Sequence, residues 1–80
     1  MKSLTVRYFA AFRENAGRDE ETVQLDVLTT ADVFHALQER HGSAEPLGHC
    51  KVAVNDEMAN WKTPVNDGDV VLLFPPVAGG

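Results

Sequence analysis

The chain has 80 residues and a mass of 8.8 kDa, with 44% hydrophobic and 24% charged residues. These are globular proportions at the size of one domain, which excludes a multidomain enzyme, a collagen-like or low-complexity chain and an intrinsically disordered one. Seven Lys and Arg against twelve Asp and Glu give a formal net charge of −5. That sign opposes nucleic-acid binding, which needs clustered cations to displace phosphate counterions, and favours a basic protein surface as partner. A lone cysteine, Cys50, leaves no internal disulfide framework and suits a reducing cytoplasm. No signal-peptide pattern opens the chain, and no apolar run approaches the roughly 20 residues of a membrane span. A cytoplasmic protein that binds neither nucleic acid nor membrane is expected.

Leu4, Val6, Tyr8 and Ala10 alternate with Ser3, Thr5, Arg7 and Phe9, the period-two pattern of a half-buried strand, with Phe9 on the polar side. A helical turn over Ala11 to Asn15 ends at Gly17, and a charged loop, Arg18 to Glu21, follows. Val23, Leu25 and Val27 then alternate with Thr22, Gln24 and Asp26 as a second strand paired with the first. Thr29 and Asp32 have the spacing of a helix-start capping box, and Leu28 is placed to staple onto Val33. Val33, Phe34, Leu37 and Ala36 form the apolar stripe of a helix running to His41, with Gly42 as its stop.

Ser43 to His49 reads as a loop, Cys50 to Val54 as a third strand, and Asn55-Asp56-Glu57 as a turn. Met58 to Trp61 is a short strand or bend, and Asn66-Asp67-Gly68-Asp69 a turn. Val70-Val71-Leu72-Leu73-Phe74 is apolar at both parities, which predicts a central strand covered on each side by core or partner. Pro75-Pro76 ends it by removing two donors. The order is α+β with a mixed sheet of four to five strands and one main helix packed across it, matching a ubiquitin-like β-grasp over residues 1–74 followed by an extended, flexible Gly-Gly tail over 75–80.

Most candidates for chemistry have a structural explanation. His49 and Cys50 are adjacent on a strand and point to opposite faces, so the pair makes no thiol–imidazole nucleophile, and a packed thiol is expected. His35, His41, His49 and Cys50 lack zinc-ligand spacing, no metal is expected, and no glycine-rich phosphate loop is present. Asp19, Glu20 and Glu21 read as a solvated loop or a patch for a basic partner. The terminus is different. Gly79 and Gly80 contribute nothing to folding, but without side chains they thread through a passage as wide as a backbone. Extended, Pro75 to Gly80 reaches roughly 20 Å, enough to enter another protein's active site.

The string from Asp67-Gly68-Asp69 through Pro75-Pro76-Val77-Ala78-Gly79-Gly80, with Phe9-Ala10-Ala11-Phe12-Arg13-Glu14 and Val54-Asn55, resembles the family of molybdopterin synthase small subunits, the ubiquitin-like sulfur carriers of molybdenum cofactor biosynthesis. Thiazole-pathway carriers share the fold and the Gly-Gly but typically lack the Pro-Pro-Val segment. The resemblance implies that Gly80 is adenylated by a ubiquitin-activating-type adenylyltransferase that consumes ATP. A sulfur-donor protein then converts it to a thiocarboxylate, a nucleophile needing no general base, which gives sulfur to cyclic pyranopterin monophosphate. The chain is then not an enzyme on its own: it works in a complex of two small and two large subunits, with catalytic residues in the large subunit and no stably bound cofactor. Val77 and Ala78 thread with the glycines. Phe9, Met58 and Phe74 are candidates for an apolar docking patch rimmed by acids, with core packing as the rival reading of each. A ubiquitin-like modifier of lysines, a sulfur donor to thiazole or tRNA, and a passive interaction domain are the alternatives.

Overall fold

A computed structural model of the protein describes residues 1–42 and 45–76. The chain order is β1 (Lys2–Tyr8), α1 (Ala11–Ala16), β2 (Glu20–Leu25), α2 (Thr30–His41), a 3₁₀ turn at Leu47–His49, β3 (Lys51–Val54), β4 (Glu57–Ala59) and β5 (Val70–Phe74). The five strands form one sheet in the order β2-β1-β5-β3-β4. β5 runs parallel to β1 and antiparallel to β3, and the outer pairs are antiparallel. This is the ubiquitin-like β-grasp, with the doubly apolar segment at its centre as expected.

Strand parity decides what is buried. Leu4, Val6 and Tyr8 of β1, Val23 of β2, Val52 of β3 and Val71 and Leu73 of β5 face α2 and are buried. Val33, Phe34 and Leu37 close the core from the helix side, and Phe12 of α1 meets Phe34 edge to face at 6.0 Å. The helix starts where its capping box forms. Asp32 N–H donates to Thr29 Oγ1 at 3.4 Å, and Asp32 Oδ2 accepts from Thr29 N–H at 3.1 Å and Leu28 N–H at 3.0 Å. The Leu28 and Thr29 donors hold the Asp32 carboxyl below the usual carboxylate range. At the other end Gly42, at φ 73°, donates its N–H to Gln38 O at 2.8 Å.

Several boundaries differ from the sequence reading. β1 stops at Tyr8, not Ala10, because Ala10 turns the chain into α1 at φ 50°, ψ −124°. β2 starts at Glu20 inside the expected charged loop and ends at Leu25, since Arg7 and Val6 pair with Glu20 and Glu21. The staple does not form: Leu28 is 72% exposed and is held through its backbone, its carbonyl accepting from Val65 N–H at 3.0 Å. The third strand begins at Lys51, after a 3₁₀ turn within the expected loop. Glu57 belongs to β4, because Asn55 and Asp56 alone close the hairpin, both at positive φ as a two-residue primed turn requires. Thr30, fully buried, locks the helix start to the following loop, donating through Oγ1 to Asn60 O at 2.6 Å.

Candidate functional site

The face of the sheet opposite α2 has no helix over it. Its register is read across the strands as a row: Glu20 of β2 opposite Arg7 of β1, Arg7 opposite Leu72 of β5, Leu72 opposite Ala53 of β3, Ala53 opposite Met58 of β4. Two residues further along β5, Phe74 shares this outer face and pairs with Lys51. Phe9 lies flat on Phe74, with ring centroids 4.6 Å apart and planes at 19°.

The result is an apolar diagonal, Phe9–Phe74–Leu72–Ala53–Met58, crossing three strands from the root of the tail. Phe9 and Phe74 are half-buried, Met58 is 67% exposed, and none of the three belongs to the main core. The structure therefore brings the three expected docking residues onto one surface and adds Leu72 and Ala53, both buried beneath it. Parity could have found these two, since they alternate with Leu73 and Val52. The side chains next to the diagonal are Arg7 on one flank and Lys51 on the other, with the exposed acid Glu20 one strand beyond Arg7. Arg7 meets Glu20 at 3.5 Å in an exposed pair, whose net contribution is small.

Pro75 and Pro76 follow Phe74 at the mouth of this surface, the first half-buried and the second exposed. The expected threading residues Val77, Ala78 and Gly79 and the terminal Gly80 lie outside the described residues, as does the expected flexible character of the tail.

Cys50 and the cluster around Glu21 have structural roles. Cys50 is buried and its thiol donates to Pro46 O at 3.3 Å; burial, then the nearby Glu45 charge, pushes its pKa up. Glu21, read from sequence as part of a solvated loop, points to the helix side with a side chain only 10% exposed. Its Oε2 accepts from Tyr8 Oη and lies 2.6 Å from His41 Nε2, while Arg40 approaches Oε1 at 3.8 Å. Burial opposes its charge, but the hydrogen bonds from Tyr8 and His41 outweigh it and hold the carboxyl below its ordinary range. Burial, then the hydrogen bond to Glu21, drives the Tyr8 phenol far above its usual pKa. A cavity of about 20 Å³ between Tyr8, Phe12, Phe34 and Leu73 has room for roughly one water and no organic substrate. Among the described residues no three His, Cys, Asp or Glu form a possible metal group, and no helix is long and apolar enough to cross a membrane.

Comparison with known proteins adds relatives that span the chain. The sequence profile of the ThiS family matches residues 6–80. The molybdopterin synthase sulfur carrier subunit of Escherichia coli is 35% identical over 96% of this chain and 99% of its own length. Small archaeal modifier protein 3 of Haloferax volcanii is 39% identical over 96% of this chain and 98% of its own. Among solved structures, a Pyrococcus furiosus protein described as a molybdopterin converting factor subunit 1 superposes with a TM-score of 0.83 at 34% identity, over 96% of this chain and all of that one. A chain from the Helicobacter pylori complex of subunits 1 and 2 of molybdopterin-converting factor superposes at 0.65 and 34% identity, over 98% of this chain and 99% of that one.

Proposed function

The chain belongs to the ThiS family, and from that premise we propose that it is the sulfur-carrying small subunit of a molybdopterin synthase, donating sulfur from a thiocarboxylate at Gly80. The observation that carries the reading is the likeness to the sulfur carrier subunit over 96% of this chain, beside a ThiS family match that runs through Gly79 and Gly80. The geometry at the tail root fits it: the central strand ends at Phe74, stacked on Phe9, and Pro75 and Pro76 follow directly beside the apolar surface.

On this reading the Gly80 carboxylate attacks ATP on an activating enzyme, releasing pyrophosphate and leaving an acyl-adenylate whose leaving group is AMP. A sulfur donor at the sulfide level displaces AMP and leaves the thiocarboxylate. Ionised at neutral pH, that sulfur attacks cyclic pyranopterin monophosphate without a base from this chain. Each carrier delivers one sulfur and returns to the carboxylate with an oxygen from water, so two deliveries make the dithiolene. The catalytic groups belong to the large subunit. Phe9, Phe74 and Met58 supply docking area, and Pro75 to Gly80, roughly 20 Å when extended, reaches the partner's pocket. The Helicobacter pylori complex supports a two-subunit assembly. The lone cysteine and the ATP-dependent activation support a cytoplasmic location.

The likeness to a small archaeal modifier supports a second reading, attachment of Gly80 to target lysines after the same activation. Deletion of Gly80 tests the first. Sulfur transfer to the pterin precursor is expected to vanish while the melting temperature stays put, and transfer by the truncated chain would defeat the proposal.

A further inference from the structure

The outer face carries a charge pattern that specifies its partner's chemistry. Arg7 and Lys51 flank the apolar diagonal from opposite sides, Arg7 beside Leu72 and Lys51 beside Phe74. They stand two strands apart and two residues out of register, roughly 12 Å between backbones at ordinary strand spacing. Both side chains share the face with Phe74 and Met58. Lys51 is exposed and makes no salt bridge among the described residues, and Arg7 has only the exposed pair with Glu20. These are the side chains that a partner settling on Met58 and Phe74 covers next.

The rest of the tail end does not share this character. β1 and β5 run parallel, so the C-terminal end of β1, the N-terminal end of β2, Lys51 and the tail root share one end of the sheet. All four arginines, Arg7, Arg13, Arg18 and Arg40, lie on segments at that end, together with Glu14, Asp19, Glu20, Glu21, Glu39 and Glu45. Arg13 meets Asp19 at 3.6 Å and Arg40 meets Glu21 at 3.8 Å, so the cations that bear on the outer face are Arg7 and Lys51 beside the diagonal. A partner that sets carboxylates opposite them gains attraction and register at this face.

Resting on the functional reading above, we propose that the docking face of this chain's large subunit is an apolar strip with carboxylates placed opposite Arg7 and Lys51, and that these two cations select the cognate partner. The experiment measures the dissociation constant of the full-length chain for its own organism's large subunit by calorimetry, at low and physiological salt. Lys51→Glu is expected to weaken binding about tenfold and the Arg7→Glu/Lys51→Glu pair about fiftyfold, with the losses shrinking as salt rises. Lys62→Glu, an equal charge change in the exposed loop against the start of α2 and outside the outer face, stays within about twofold. Thermal melts keep loss of fold separate, and Lys51→Glu, which breaks no ion pair within the described residues, carries the test. A parent chain that binds the large subunit and donates sulfur, but whose Lys51→Glu variant binds equally or more tightly, overturns the charge assignment alone. A parent that neither binds nor donates overturns the functional reading and this inference with it.

Discussion

On the helix side of the sheet, Leu4, Val6, Val71 and Leu73 retain 2% or less of their surface; one residue away along the same strands, Arg7, Leu72 and Phe74 face outward, and Met58 beside them stays 67% exposed. Both faces are rich in apolar side chains, yet only one is finished. In an 80-residue chain the helix covers a single face, and the apolar surface left on the other, beside Pro75 and Pro76, is the surface that the proposed function assigns to a partner. On that reading a strand apolar at both parities signals two different neighbours, one within the chain and one outside it.

Substitution on each face should separate these roles. Leu73→Ala opens a cavity in a core with little spare stability and is expected to cost about 2–4 kcal/mol, lowering the melting temperature by more than about 10 °C. Met58→Asp should leave the melting temperature within a few degrees while weakening large-subunit affinity about thirtyfold, as a charge buried at an apolar contact does. If Met58→Asp melts like Leu73→Ala, the outer face is a second core and the comparison fails.

A smaller effect tests the polar seam of the covered face. Glu21 has a folded-state pKa below its unfolded one, so its stabilisation is present at neutral pH and is lost as pH falls through the folded value. Glu21→Gln should cost about 1–2 kcal/mol at pH 7 and flatten the acid limb of the stability curve. Chemical denaturation at pH 7 and pH 4 measures it, and an unchanged acid limb would remove Glu21 from the account.

Much of this was legible in the sequence for local reasons. The alternation of Leu4, Val6 and Tyr8, the capping pair Thr29 and Asp32, and Gly42 as a helix stop each depend on residues within one or two turns of chain. Phe9, Met58 and Phe74 were also within reach as docking candidates, Phe9 because it breaks the alternation of β1, Phe74 because it stands just before the tail and Met58 because it lies in the short segment between strands. What escaped depends on distant partners. Glu21 reads as one more charge in an acidic run, and only the return of α2, 20 residues later, brings His41 beside it. Leu28 has staple spacing, but backbone bonding to Val65 and Asp32 holds it outward. Arg7 and Lys51 are separated by 44 residues of chain, so their shared face emerges only from the parallel pairing of β1 with β5.

The most direct test of a sulfur carrier is the intact mass of the chain after incubation with its activating enzyme, ATP and a sulfide source. Replacement of one oxygen by sulfur should add about 16 Da, mapped to the C-terminal peptide and removed on incubation with the large subunit and the pterin precursor. An unchanged mass, or isopeptide adducts on lysines in its place, would contradict the carrier.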